Sequence, residues 1–159
     1  MAKLKIVKIG DETLRKVCRP VERITPRVHQ LLDDMAETMR ATNGVGLAAP
    51  QVGILRRIVV IEVEEGQLIE LINPKIIAYS GENEGLEGCL SVPDRWGVVT
   101  RPMHVTVRAL NRHGETVEYT GSDLLARCFC HELDHLDGKL YVDVADRMLS
   151  PEEVEELRG

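Results

Sequence analysis

The chain predicts an α+β fold: antiparallel and mixed β-sheets packed around a central helix in the C-terminal half, plus an N-terminal helix. Three observations carry this reading. Val28, Leu31, Leu32, Met35 and Met39 recur at spacings of three and four, the period of an amphipathic helix. Between Arg57 and Tyr119 the chain breaks into short β-branched runs separated by polar turns. A second helical stretch, from Leu124 to Gly138, follows the strands and carries His131-Glu132-Leu133-Asp134-His135. With 159 residues and no repeat or linker, residues 1–159 read as a single domain.

Taken in order, Leu4 to Ile9 is apolar and ends at the turn-like Gly10-Asp11. Asp11 can cap one helical turn through Arg15. Thr25-Pro26 opens the N-terminal helix with a capping hydroxyl and a proline in the first turn, and Asn43-Gly44 closes it. His29 lies off the apolar stripe and reads as solvated. Gly44 to Gly53 holds three glycines, a proline and small side chains, which suits close backbone approach. A phosphate-binding loop is the weaker reading, because no Gly-Lys-Ser/Thr follows and no strand clearly precedes it. Arg57–Val63, Gln67–Ile72 and Lys75–Tyr79 read as strands, the last two broken at Asn73-Pro74. Ser80–Asn83 turns into Glu84–Pro93. Val98-Val99, His104–Leu110 and Thr116–Tyr119 alternate as half-buried strands do, the last two joined through Asn111–Glu115. Ser122 is the expected N-cap of the later helix and Gly138 its C′ residue. Ser150 caps a short acidic tail ending at Gly159.

Composition narrows the class. Hydrophobic residues make up 43% and charged residues 29%, as in a soluble globular protein. One Phe and one Trp leave the core to Val, Ile and Leu. A net charge of -6 argues against nucleic-acid or anionic-membrane binding. No apolar run approaches the ~20 residues of a membrane span, and Met1 to Val7 lacks the pattern of a signal peptide. A cytoplasmic location follows, with Cys18, Cys89, Cys128 and Cys130 reduced.

The chemistry centres on H-E-x-x-H. Two histidines four apart share one helix face and can reach one metal ion. Glu132 can lean toward the same ion and take a proton from water there. A catalytic site usually adds a third protein ligand and keeps one position open. Tyr141 stands where the long-motif metalloproteases place a third histidine, and the acidic tail is a poor second helix for a glutamate ligand. Cys128, three residues before His131, cannot join two helical histidines around one ion and reads as pocket wall. His104 and His113 lie in unremarkable sequence. Cys89, beside Gly88, is either the third ligand or a buried inert thiol.

Gly44-Val45-Gly46-Leu47-Ala48-Ala49-Pro50-Gln51, Glu87-Gly88-Cys89-Leu90-Ser91 and His131-Glu132-Leu133-Asp134-His135 occur in the order and approximate spacing of the three motifs of bacterial peptide deformylases. From Gly10 to Leu140 the chain resembles that family. The resemblance implies hydrolysis of the formyl group from N-formylmethionine on nascent polypeptides, releasing formate. It implies Cys89, His131 and His135 as ligands of Fe²⁺, with Zn²⁺ or Ni²⁺ able to substitute; softness and geometry alone would suggest zinc. It further implies Glu132 as proton carrier, and the Gln51 amide and Leu90 N–H as donors to the oxyanion. Val45 and Gly46 would pair with the substrate backbone. Leu124 and Cys128, with Val45, would wall the methionine pocket, and Arg127 would line its rim with its charge toward solvent. Glu87 needs a partner if buried, and Arg101 is the candidate.

Three departures stand out. Cys130 replaces the commoner Gln before the first histidine, and Glu12 replaces a Pro near the N-terminus. Some relatives reach the ribosome through a basic C-terminal helix, whereas this tail carries four Glu and one Arg. The expectation is a monomer whose ribosome contact, if any, is transient. A zinc endopeptidase of the H-E-x-x-H type is the alternative, and it lacks either usual downstream ligand.

Overall fold

The computed structural model describes residues 3–158; Met1, Ala2 and Gly159, included in the terminal readings above, lie outside the described residues. The first turn, Glu12–Arg15, is a 3₁₀ helix whose cap Asp11 accepts from the Thr13 N–H. Helix α1, Pro26–Ala41, buries Leu32, Met35 and Met39 of the stripe its spacing foretold, while Val28 and Leu31 are half-buried. Its expected cap differs: Thr25 makes no side-chain cap bond, and proline in the first turn sets the start instead. His29 is not solvated; its Nε2 lies 2.7 Å from the Arg112 carbonyl, half-buried.

The glycine-rich stretch becomes a short strand β1, Gly46–Ala48, and a 3₁₀ turn, Ala49–Val52. Then follow β2 (Ile58–Ile61), β3 (Ile69–Ser80), β4 (Asn83–Cys89), β5 (Val92–Arg101), β6 (His104–Leu110) and β7 (Thr116–Ser122). The expected break at Asn73-Pro74 is a bulge within one long strand. Its register against β6 shifts between Ile72 and Lys75, and Asn73 has φ +53°. Asn73 instead ties down the N-terminal segment, exchanging two hydrogen bonds with Val21.

Helix α2, Leu124–Leu136, follows β7 directly. Ser122 does not cap it: Ser122 ends β7 opposite His104, and Asp123 occupies the cap position without a side-chain cap bond. Gly138 does close the helix, with φ +75° and its N–H on the His135 carbonyl. A Cβ there would lie 2.5 Å from the Arg15 carbonyl oxygen, so only glycine fits without movement. Like β1, the 3₁₀ turn after it and β4, which were expected as loop, the short α3 (Tyr141–Val144) and β8 (Arg147–Met148) were not foreseen. The tail forms α4, Pro151–Arg158, and Ser150 Oγ accepts from the Glu153 N–H as its capping position requires.

All strand pairs are antiparallel, in a five-stranded sheet β1-β2-β3-β6-β7 and a three-stranded sheet β4-β5-β8. Helix α2 packs on the first sheet and reaches β5 of the second. Its Ala126, Phe129, Leu133 and Leu136 join Val59, Leu71 and Val107 in one core cluster. Helix α1 closes a second cluster with β2, and Tyr141 anchors a third with Leu14, Val92 and Val99. The second sheet is thereby held across α2, which places β4 over the helix face carrying the histidines.

Candidate active site

One turn of α2 separates His131 from His135, and their ring centroids are 5.0 Å apart. Cys89 arrives from the end of β4, where a register shift between Glu87 and Cys89 re-aims the strand. Its Sγ lies 3.4 Å from His135 Nε2, and one donor atom from each of the three residues falls within 4.8 Å of the others. Among the described residues this is the cluster with metal-binding spacing. One thiol and two imidazoles suit a borderline divalent ion such as zinc or iron. The donor set also has the right polarity. His131 Nδ1 donates to Glu87 Oε1 at 2.9 Å, which leaves Nε2 as its ligand atom.

Glu87 is buried and fully engaged. Arg101 grips it with two bonds, Nε to Oε2 at 2.8 Å and Nη2 to Oε1 at 2.9 Å. Arg127 Nη1 adds a third, at 2.8 Å. Burial works to raise the Glu87 pKa, but the Arg101 and His131 hydrogen bonds hold it down at about 2. Arg101 also bonds Asp134 at 2.8 Å, so the network spans β4, β5 and α2. The expected Arg101 partner is in place. The expectation for Arg127 is corrected: its guanidinium is buried, bonding the Val99 and Asn83 carbonyls as well as Glu87, because the β4–β5 hairpin covers it.

Burial opposes charge on His131, yet its bonds to Cys89 and Glu87 and the nearby Glu132 carry its pKa well above 6.5. Burial and His131 push His135 well below 6.5. Burial lifts Glu132 to about 7, and its Oε1 is a buried oxygen with no hydrogen-bond partner among the described residues. Gly46 makes room for this carboxyl: a Cβ there would sit 2.6 Å from Glu132 Oε2.

Gln51 is buried, not an ordinary exposed amide. Its Oε1 accepts from the Ala48 N–H, and its Nε2 donates to Ser91 Oγ at 3.1 Å. The remaining amide proton is directed at Cys89 Sγ, with Nε2 3.5 Å from the sulfur, an ordinary length for a hydrogen bond to sulfur.

A cavity of about 560 Å³ opens over these groups. Val45, Gly46, Leu90, Leu124 and Cys128 line it, together with Gln51, Cys89, His131 and Glu132. His135 does not; it is buried behind the cluster. Burial raises the Cys128 thiol to about 12, and the residue stays outside the ligand cluster. Cys130 likewise packs into the main core, its thiol pushed up to about 11.

Several cavity and support residues have roles that their place in the sequence does not reveal. Ser91 is fully buried under Gln51, Trp96 reaches the cavity from the adjoining β5, and Lys8 reaches it from the N-terminal segment. Tyr141, noted only for not being histidine, stacks on His131 at 6.0 Å between centroids and donates to the Arg95 carbonyl.

The chain matches the family model described as polypeptide deformylase over residues 3–150. It is 57% identical over 150 residues to a peptide deformylase of Caldanaerobacter subterraneus, covering 94% of each chain. It is 56% identical over 149 residues to that of Acetivibrio thermocellus, covering 94% of this chain and 87% of the relative. The crystal structure of a peptide deformylase from Legionella pneumophila superposes with a TM-score of 0.88 at 45% identity, covering 99% of this chain and 92% of the other. Sequence, backbone and the cluster of Cys89, His131 and His135 all point the same way, and the chain belongs to the polypeptide deformylase family.

Proposed function

We propose that this protein is a metal-dependent hydrolase that removes the formyl group from N-terminal N-formylmethionine of newly made polypeptides. The observation that carries the reading is the convergence of Cys89, His131 and His135 beneath an open cavity beside an unpartnered Glu132 carboxyl. Cys89 Sγ and the two imidazoles would hold one divalent ion, Fe²⁺ by family resemblance, with Zn²⁺ or Ni²⁺ able to replace it. Such an ion makes a water nucleophilic near neutral pH and polarises a carbonyl.

The chain's own residues account for the proton traffic. Glu132, buried and lifted toward neutrality, accepts a proton from water as its oxygen joins the formyl carbon. It returns that proton to the nitrogen as the C–N bond breaks, leaving formate and a free amino terminus. The second Gln51 amide proton and the Leu90 N–H are the donors to the oxygen that gains charge. Val45 and Gly46 hold the substrate backbone as an added strand, and Leu124 and Cys128 wall the methionine side chain. Residues 1–159 act as one domain, as a monomer in the cytoplasm, with at most transient ribosome contact. None of the described helices is long and apolar enough to cross a membrane.

Anaerobic turnover of formyl-Met-Ala-Ser, its acetyl twin and an unblocked internally quenched peptide tests the proposal. Formate release from the first alone, abolished in Cys89→Ala and Glu132→Ala, is expected. Cleavage of only the unblocked peptide would replace it with a protease.

A further inference from the structure

Trp96 is the sole tryptophan of the chain, and it is not in the core. It is 38% exposed and lines the cavity over the candidate metal cluster. Val45, Leu86 and Leu124, also exposed, lie on the same cavity, so apolar surface is gathered at its mouth. The six-membered part of the indole lies on the Gly88 backbone: a Cβ there would come within 2.8 to 3.0 Å of Cζ3, Cε3 and Cη2. Gly88 adjoins Cys89, so the ring stands about one or two residue lengths from the ligand cluster.

The backbone that carries the ring is also held on a fixed mount. The Leu149 N–H donates to the Trp96 carbonyl at 2.8 Å, Tyr141 Oη donates to the Arg95 carbonyl at 3.0 Å, and Gly97 pairs with Met148 in β8. Rigid aromatic surface offers contact at little entropic cost. Lys8 and Asp94 line the same cavity, so the ring is flanked by charge of both signs, Asp94 being paired with Arg158.

We infer that the exposed Trp96 indole is a stacking platform for a side chain downstream of the methionine, making the enzyme prefer an aromatic residue there. The inference rests on the deformylase reading. The blander account, a ring that merely covers Gly88, predicts lost stability on substitution and no change in substrate choice.

Formyl-Met-Ala-Ser, formyl-Met-Phe-Ser and formyl-Met-Ala-Phe are compared as substrates of the anaerobic holoenzyme, wild type beside Trp96→Leu and Trp96→Phe. Wild type should favour one Phe peptide by about three- to tenfold in kcat/KM, chiefly through KM. Trp96→Leu should lose that preference, and Trp96→Phe should keep most of it. Should Trp96→Leu not fold, the unformylated Phe product peptide should still shift the single tryptophan emission of the wild type more than its Ala-Ser counterpart. Turnover of all three peptides with the same ratios in wild type and Trp96→Leu, or emission indifferent to the Phe, overturns the platform and leaves the activity standing. No turnover of any formyl peptide overturns the deformylase reading itself.

Discussion

Gly46, on the proposed substrate edge, approaches the carboxyl of Glu132, the proposed proton carrier, closely. A methyl group at Gly46 would overlap the Glu132 carboxyl, so either the strand or the carboxyl must give way. Gly46→Ala should therefore lower kcat about 10²-fold, the scale of an ångström misplacement, while bound metal stays unchanged. Formate release beside metal analysis checks both halves. Arg101 acts through other residues: it holds Glu87, which orients His131. Arg101→Ala strands a buried carboxylate and should cost about 3–5 kcal/mol of stability, together with weakened metal retention. An unchanged melting temperature and metal content would contradict that role. Arg127 shows the limit of spacing arguments. Its place on α2 near His131 was legible, but burial depends on the β4–β5 hairpin, 28 residues earlier at Val99, folding over it.

Among elements, α2 is started by strain rather than by capping. Asp123 adopts φ +58° and ψ −119°, a region natural to glycine, because its N–H must meet the Met103 carbonyl as β7 turns directly into the helix. Asp123→Gly should relieve about 1 kcal/mol of strain, less the Asn83 hydrogen bond that the carboxylate accepts. The expected net result is a melting temperature raised by about 1–3 °C. A fall would show that the Asn83 contact outweighs the backbone. The strand β3 makes the converse point. Asn73-Pro74 reads locally as a break, yet pairing with β6 on both sides carries the strand through it as a bulge. Similarly, α3 and β8 are too short to leave a periodic signal, and they exist because β5 and the Tyr141 cluster receive them.

For the whole molecule, the three-element junction at Glu87 is expected to set the acid limit. Its pKa lies near 2 against an ordinary 4.5, so its stabilisation is complete above about pH 5 and is lost as pH falls toward 2. The amount is on the order of 3 kcal/mol. Denaturant midpoints measured from pH 6 to 2 should fall steeply below 5 in wild type and less so in Glu87→Gln. Equal slopes would remove Glu87 as the acid trigger. Fold class, the two long helices and most strand positions were legible because each rests on a local period of 3.6 or 2. The helical half of the candidate site was legible for the same reason, since residues four apart on one helix must share a face. The partnership of Cys89, 42 residues before His131, with that helix lies beyond any local period and is legible only in the order of the three motifs. The burial of Gln51 on Ser91, the hairpin over Arg127 and the indole over Gly88 belong wholly to the folded chain. Each depends on which backbone passes within a few ångströms of which, and that is set by sheet register and layer packing rather than by neighbours in sequence.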